Sequence, residues 1–280
     1  MAKERYEKTK NKLFIIDSEL NLQIEVPFSL PELGEDLSDK KITKIELENG
    51  FKQYFFMKGD VLHGECKYFY PEGALQAVMY YEKGKLHGPS FFYSLDGKLL
   101  SSAWFFEGKR QGKMNQYYLN SSVQSTQRFV GGKREAKQEY FYEDGHPKSI
   151  MEYKNRALHG FCRLFWPNGQ VKRECYFEEN LRFGADRIWS EEGKLLDEGQ
   201  YKKNVPVGTH KRWNRQGILI EEMEYHDAKN FDKKFYNNAG ALIYESKRLD
   251  DGATLERTLD EETMEWSEKK VMDGVSESSL

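Results

Sequence analysis

"VLHGECKYFYPEGALQAVMYYEKGK" runs from Val61 to Lys85, and "KLHGPSFFYSLDGKLLSSAWFFEGK" follows it from Lys85 to Lys109. A third copy, "ALHGFCRLFWPNGQVKRECYFEENL", runs from Ala157 to Leu181. Each copy has a glycine after histidine, a second glycine nine residues later, and aromatic residues on both sides of it. An internal repeat of this length predicts a fold made of copies of one small unit, in which each copy packs on its neighbour.

The repeat has a period of 24 residues, and its first glycine is taken as position 0. Position 0 is occupied by Gly64, Gly88, Gly112, Ala136, Gly160, Gly184 and Gly208. Positions +5 and +17 are aromatic in all seven units, and position +9 is glycine in all but one, where Ser121 stands. An eighth unit, Asp232 to Leu255, is degraded, and half a unit precedes the first.

Two turn signals in each unit bracket apolar stretches that are long enough for strands and too short for helices. Pro71, Glu72 and Gly73 fit a type I turn followed by a left-handed glycine, which is a three-residue hairpin loop with a bulge. This loop pairs position +5 with +11 and predicts that +5, +11, +15 and +17 share one face. The sequence therefore predicts an all-β fold, an elongated single-layer antiparallel β-meander built from 24-residue hairpin repeats.

Three regions follow from the limits of the repeat. Residues 1–41 are predicted to form an N-terminal strand pair that caps the sheet, and residues 42–255 to form the repeat sheet. Residues 256–280 are predicted to be an acidic C-terminal tail, partly disordered. The chain from Asp250 to Leu280 contains ten acidic and three basic residues, a composition that favours disorder.

The composition limits the classes of partner and the compartment that can be expected for this protein. The net charge of −3 provides no strongly basic field, so nucleic acid is not an expected partner. Three cysteines without metal-ligand spacing indicate a reducing compartment. Cys162 and Cys175, at +2 and +15, are predicted to point to opposite faces, so no disulfide is expected. Without a long apolar segment, we expect a soluble, cytoplasmic protein.

The opposite face of the predicted sheet carries positions +4, +6 and +16. Ten of the fifteen residues at these positions in the first five units are aromatic, whereas those in the sixth and seventh are mostly polar. An aromatic patch on a thin sheet is typical of an interaction site. The candidate partner-binding residues are Tyr68, Tyr70, Phe92, Trp104, Tyr118, Tyr140, Tyr142 and Trp166. The alternatives are a patch covered by the N-terminal segment, aromatics that only stabilise neighbouring strands, and a small-ligand site.

The chain contains none of the common catalytic or nucleotide-binding motifs. His63, His87 and His159 occupy one repeat position, and no second ligand type accompanies them at a fixed offset. We therefore expect no catalytic residues, no metal and no cofactor.

The pattern "G-K-L-H-G-x-x-x-x-x-Y-x-x-D-G-K-L" resembles the bacterial variant of the MORN repeat and the YwqK-type family of antitoxin-like proteins. It is carried by His63-Gly64, His87-Gly88, His159-Gly160, Asp96-Gly97 and Asn168-Gly169. Ala136, Ser121 and the eighth unit depart from it. The resemblance implies an elongated sheet with a binding or scaffolding role. Related eukaryotic repeats are linked to membrane phospholipids and to dimerisation.

These observations predict a non-enzymatic scaffold that binds another protein through an aromatic face. The resemblance implies a toxin as one class of partner, and a homodimer as another. The second hypothesis is a membrane-surface protein that binds phospholipid. Basic residues are interleaved with acidic ones rather than grouped into a cluster, which disfavours binding to anionic lipid.

Overall fold

The structure is a computed structural model that describes residues 6–9, 12–17, 22–26, 41–47 and 49–272, with side chains at 43–47 and 49–272. Within these ranges the chain forms strands and no helix. The strands are β1 Tyr6–Thr9, β2 Lys12–Asp17, β3 Leu22–Val26, β4 Lys41–Glu46, β5 Lys52–Lys58, β6 Val61–Phe69, β7 Leu75–Glu82, β8 Lys85–Tyr93, β9 Leu99–Phe106, β10 Lys109–Arg110, β11 Gly112–Tyr117, β12 Val123–Val130, β13 Lys133–Arg134, β14 Ala136–Phe141, β15 Pro147–Lys154, β16 Ala157–Phe165, β17 Val171–Glu178, β18 Leu181–Trp189, β19 Leu195–Lys202, β20 Val205–Trp213, β21 Leu219–Tyr225, β22 Phe231–Tyr236, β23 Leu242–Arg248, β24 Ala253–Leu259 and β25 Trp266–Met272.

The chain divides into two compact units. Unit 1 comprises residues 1–147 and 152–156, and unit 2 comprises residues 148–151 and 157–280. Each unit contains an open antiparallel sheet whose strands follow the chain order. The predicted fold class, an all-β antiparallel meander of hairpin repeats, is confirmed.

The N-terminal strands form a sheet of their own in unit 1. Strands β1, β2 and β3 pair in order, and β2 lies in contact with β11 of the repeat sheet. At the other end of the chain, β25 lies in the segment predicted as an acidic tail and pairs with β24. The disorder predicted for the last residues, 273–280, lies outside the described residues.

The predicted three-residue loop is present at one end of each hairpin. The Gly73 N–H donates to the Tyr70 carbonyl at 2.9 Å, and the Tyr70 N–H donates to the Ala74 carbonyl at 2.9 Å. Gly73 has a φ of 92°, and Ser121 holds the equivalent position with a φ of 68°. Ser121 therefore departs from the repeat pattern in sequence but keeps the left-handed backbone that the turn requires.

Between β5 and β20, the opposite end of each hairpin has a two-residue turn, whereas five residues join β21 to β22. Lys83 and Gly84 both have positive φ, 49° and 76°, as a type I′ turn requires. The Gly84 N–H donates to the Leu62 carbonyl of the preceding hairpin at 2.8 Å. In unit 2 the Asn180 N–H donates to the Leu158 carbonyl at 2.9 Å in the same way. Consecutive turns are thus joined by backbone hydrogen bonds.

The pairing of +5 with +11 is confirmed, but the rest of the predicted register is wrong. Phe69 lies opposite Leu75, whereas its neighbour Tyr68 lies opposite Ala77, so Gln76 is an extra residue in β7. The same shift recurs in the hairpins β8–β9, β11–β12, β16–β17, β18–β19 and β20–β21. Such a bulge shifts the pairing of every later residue of the strand by one residue, so that its side chain lies on the opposite face of the sheet.

The bulge moves +15 and +17 to the face opposite +5. Positions +2, +4, +13, +15 and +17 form face A, and positions +1, +3, +5, +14 and +16 form face B. The centre of face A is buried at Cys66, Ser90, Ser125, Gln138, Cys175 and Asp186. Cys162 lies directly opposite Cys175 on this face, so the prediction that they point to opposite faces is wrong.

Face B of unit 2 carries ion pairs between neighbouring strands. Arg163 is paired with Glu174, and Arg187 Nε lies 2.6 Å from Glu198 Oε1. These partners lie directly opposite one another in the register. Face B of unit 2 therefore carries charges that are paired across neighbouring strands, whereas the buried side chains of Cys175 and Asp186 lie on face A.

Candidate binding surface

The structure does not place the eight predicted binding residues on one face. Position +4 lies on face A and position +16 on face B, while position +6 opens the three-residue turn. The face-A members are Tyr68, Phe92 and Tyr140, the face-B member is Trp104, and the turn members are Tyr70, Tyr118, Tyr142 and Trp166. The predicted continuous stripe is wrong because the bulge separates +4 from +16. The binding role of each residue stays a prediction.

Three of the turn aromatics join one hairpin to the next. The Tyr70 hydroxyl donates to the Tyr93 carbonyl at 2.9 Å, and the Tyr118 hydroxyl donates to the Phe141 carbonyl at 2.8 Å. Trp166 uses its indole Nε1–H in the same way on the Trp189 carbonyl, at 3.1 Å. These side chains therefore satisfy backbone acceptors at the ends of neighbouring strands.

Two predicted residues come together on face A of unit 1. Tyr68 and Phe92 both lie opposite Ala77, one on each side of β7. Burial, with a smaller contribution from Tyr81, raises the pKa of Tyr68 above its usual value. Tyr68 is half-buried and Phe92 is 39% exposed, so this pair presents one half-buried phenol and one open phenyl ring.

The aromatic pair best placed to meet a partner lies on face B of unit 2. Phe161 is 43% exposed and lies opposite Tyr176. Their ring centroids are 5.3 Å apart at an interplanar angle of 78°, an edge-to-face contact that stabilises aromatic pairs. The Arg163 guanidinium lies 5.1 Å from the Phe161 ring centroid. We call Phe161, Arg163 and Tyr176 the aromatic–arginine cluster.

Phe161 was not among the predicted residues, although the sequence contains a signal for it. Position +1 holds Glu65, Pro89, Lys113, Lys137, Phe161, Ala185 and Thr209. Only one of these is a large apolar residue, and it stands in a position that is otherwise charged, small or turn-favouring. A single break in a repeat position is evidence of a local role, whereas a recurring residue usually serves the repeat itself.

Face B of unit 1 contains a groove of about 460 Å³. Tyr54, Phe69, Lys52 and Lys67 are among the residues that line it. Tyr54 and Phe69 meet edge to face with centroids 5.3 Å apart. Among the residues whose side chains are described, no group of three His, Cys, Asp or Glu side chains is arranged to hold a metal ion.

The described part of the chain contains no helix long and apolar enough to cross a membrane. The model of the MORN repeat variant matches three segments, residues 62–83, 134–155 and 158–179. No curated protein matches the chain.

One solved structure that matches is the Tc holotoxin pore of Photorhabdus luminescens, at 12% identity and a TM-score of 0.17. The match covers 74% of this chain, and the chain spans 14% of the toxin chain. A likeness this slight says nothing about the fold or function of this protein. The three segment matches identify MORN-variant repeats in the chain.

Proposed function

We propose that this protein is a non-enzymatic repeat scaffold that binds another protein, with the aromatic–arginine cluster as an anchor of the interface. The observation that carries the proposal is the exposure of Phe161, 43%, beside charged pairs that join neighbouring strands on face B. Full burial of an exposed phenylalanine side chain contributes about 1.5–3 kcal/mol, so burying the 43% of Phe161 that water now contacts contributes about 1 kcal/mol.

The chemistry of the cluster suits a protein partner. Aromatic residues and arginine are enriched among the residues that carry most of the energy of protein interfaces. The Arg163 side chain is already held by Glu174 and by the Phe161 ring. An anchor that is held in place before binding loses less conformational entropy when the partner arrives.

The surroundings of the cluster favour a protein over an anionic lipid surface. Arg187 lies opposite Glu198, and Lys211 Nζ lies 3.4 Å from Glu222 Oε2. Binding of anionic lipid headgroups is typical of clustered basic residues, whereas these basic groups are each matched by a carboxylate. Paired charges around an apolar centre resemble the polar rim of a protein interface.

The class of partner comes from the resemblance to the YwqK-type family. We propose a protein toxin as the first partner to screen and a second copy of the chain as the next. A toxin held on the cluster would make the chain antitoxin-like. A homodimer would instead appear in the purified protein alone, as a change in mass by light scattering.

The test compares capture of partners from native lysate by wild type and by Phe161→Ser. Truncating an interface anchor of this kind typically costs about 2 kcal/mol or more, roughly thirtyfold in affinity. Thr209→Ala is the matched control, because Thr209 occupies the same repeat position and face in another unit. Phe92→Ser tests the predicted face-A residues in the same experiment. Circular dichroism and melting temperature verify that each variant is folded.

We expect Phe161→Ser to lose a specific partner that wild type and Thr209→Ala retain, and the purified partner to reproduce the difference. Equal recovery by a folded Phe161→Ser would show that the cluster is not the anchor. Loss with Phe92→Ser alone would move the site to face A. Flotation of the purified protein with phosphatidylserine vesicles, but not phosphatidylcholine vesicles, would replace the proposal with membrane-surface binding.

A further inference from the structure

Two cysteines of unit 2 are cross-strand neighbours. Cys162 in β16 lies directly opposite Cys175 in β17, and the Cys175 thiol donates to the Cys162 carbonyl with an Sγ–O distance of 3.7 Å. Both are free thiols in the structure. The register that the bulge creates brings them together, although their sequence positions alone placed them on opposite faces.

The spacing of such a pair fits a disulfide. Residues directly opposite in an antiparallel pair have Cα atoms about 4.5 or 5.5 Å apart, depending on whether the pair is hydrogen-bonded. Both values lie in the range of about 4.4–6.8 Å in which disulfides form. The bond therefore requires rotation of the two side chains rather than a rearrangement of the strands.

Charged groups lie beside Cys175. Asp186, in the next strand, lies directly opposite Cys175 and is 5% exposed. Two arginines hold its carboxylate: Arg173 Nη2 lies 2.6 Å and Arg182 Nη1 3.3 Å from Asp186 Oδ2. Arg173 is two residues before Cys175 on the same face, so a guanidinium lies beside the two thiols.

We propose that Cys162 and Cys175 are a redox-active dithiol that hydrogen peroxide converts into an intramolecular disulfide. The Cys162 thiolate attacks the peroxide, an S–O bond forms, the O–O bond breaks, and the released hydroxide takes a proton to become water. The Cys175 sulfur then attacks the resulting sulfenic acid, the S–S bond forms, and a second water leaves. Two electrons pass from the two thiols to the peroxide.

The two thiols have unequal roles in this sequence. Cys162 is half-buried, whereas Cys175 is 4% exposed, so the oxidant reaches Cys162 first. Once Cys162 has ionised, the Cys175 thiol can turn from the Cys162 carbonyl and donate to the Cys162 sulfur instead; this hydrogen bond, with help from the positive charge of Arg173, lowers the pKa of Cys162. The same contact with Cys162, together with burial, raises the pKa of Cys175. Cys162 is therefore the attacking thiolate and Cys175 the resolving thiol.

The pairing does not recur at the equivalent positions of the repeat. Cys66 occupies position +2 of the first unit, where Cys162 stands in the fifth, but its cross-strand neighbour is Met79. Cys66 is 1% exposed. The chain therefore contains its own control, a buried thiol at the same repeat position with a methionine in place of the second thiol.

The test exposes reduced, folded wild-type protein to hydrogen peroxide, blocks the remaining thiols with an alkylating reagent and maps the peptides by mass spectrometry. We expect a peptide pair joined through Cys162 and Cys175 and an alkylated Cys66. The mass of the chain before alkylation falls by about 2 Da because two hydrogens leave. Dithiothreitol, added to the oxidised protein before alkylation, returns the chain to three free thiols. Bond formation is independent of protein concentration because the disulfide is intramolecular.

Cys162→Ser and Cys175→Ser are the matched variants, since each keeps the other thiol in its place. We expect neither to form an intramolecular disulfide and Cys162→Ser to consume peroxide at least tenfold more slowly. The proposal is overturned if folded wild type keeps both thiols under conditions in which the urea-unfolded chain forms the bond. It is equally overturned if Cys66 is joined instead, or if Cys162 is oxidised to sulfinic acid without the bond. The first outcome would mean that the pair only packs the face.

Discussion

Trp189 lies directly opposite Leu195 across its turn, yet the residue before it, Ile188, lies opposite Asp197. Leu196 is therefore an extra residue in β19. The shift carries every later residue of β19 to the other face, which brings Gly199 opposite Asp186 on face A. The bulge at position +12 thus decides which side chains meet in each unit, including the two cysteines and the buried aspartate.

The first prediction concerns that aspartate. Asp186→Ala should lower the free energy of unfolding by about 1–3 kcal/mol, because it leaves Arg173 and Arg182 close together without the carboxylate that joins them. The cost lies below that of a fully buried pair, since both guanidinium groups remain about one-third exposed. Urea unfolding at low and high salt measures the loss.

Glu198→Ala is the control for this prediction. It removes an ion pair of similar geometry, to Arg187, from exposed face B. Exposed pairs contribute about 0–1 kcal/mol, so the control should change stability little. Equal losses in the two variants would mean that burial of the Asp186 carboxylate does not decide its contribution.

The second prediction concerns Gly199, which leaves room for an imidazole ring. A Cβ at Gly199 would lie 2.3 Å from His210 Nδ1, which is shorter than the contacts that Cβ atoms make with non-bonded atoms. The His210 ring packs between Tyr201 and Tyr225, with centroids 5.1 and 4.8 Å away. Gly199→Ala should therefore displace the ring and cost about 1–3 kcal/mol through overpacking.

Removal of the ring should abolish that cost. In a His210→Ala background, Gly199→Ala should be neutral or slightly stabilising, because alanine restricts the unfolded chain and the Gly199 backbone lies outside the left-handed region. The coupling energy comes from melting curves of the wild type, both single variants and the double variant. Additive losses would show that the backbone, not the His210 ring, excludes a side chain at this position.

The 24-residue period and the turn glycines could be predicted from the sequence because each depends on local chemistry. Gly73 and its equivalents adopt the left-handed conformation that the predicted loop requires. The bulge at Gln76 had no such signal, since the equivalent residues include glutamine, leucine, lysine and isoleucine. A β-bulge accepts most residue types, so pairing of +5 with +11 did not determine the pairing further along the strand.

The candidate site shows the same limit. The eight predicted aromatics were recognised as unusual for a thin sheet, but their common face was inferred from an alternation that the bulge interrupts. Tyr118 was predicted to contact a partner, and the structure gives its hydroxyl an acceptor on the next hairpin. The repeat pattern does not single out Phe161, because a recurring position defines the repeat and a large apolar residue at +1 occurs in one unit alone.

The third prediction concerns the hydrogen bond from Tyr118 to the Phe141 carbonyl, 2.8 Å long. Tyr118→Phe removes only the hydroxyl and should cost about 1 kcal/mol, the typical net value of one hydrogen bond. The aromatic packing remains, so Tyr118→Ala should cost more. Chemical denaturation of the two variants separates the contributions. A Tyr118→Phe variant as stable as wild type would show that water replaces the hydroxyl at the carbonyl.

The last prediction concerns Tyr80 on face B. Burial, with a smaller contribution from its hydrogen bond to Glu65, raises the pKa of Tyr80 to about 12, and the hydroxyl donates to Glu65 Oε2 at 2.9 Å. The unfolded chain loses this proton near pH 10. The contribution of Tyr80 to stability is therefore complete below pH 10 and is lost as pH rises toward 12, because the unfolded state ionises first. The urea midpoint of wild type should thus fall more steeply over this interval than that of Tyr80→Phe.

The Glu65→Gln variant removes the negative charge that opposes ionisation of Tyr80 but keeps the burial. The pKa of Tyr80 in this variant should therefore lie between 10 and 12. Tyrosinate absorbance, recorded at each pH with circular dichroism to verify the fold, gives the midpoint directly. A wild-type difference titration against Tyr80→Phe centred at pH 10 would contradict the prediction and show that water reaches the phenol in the folded protein.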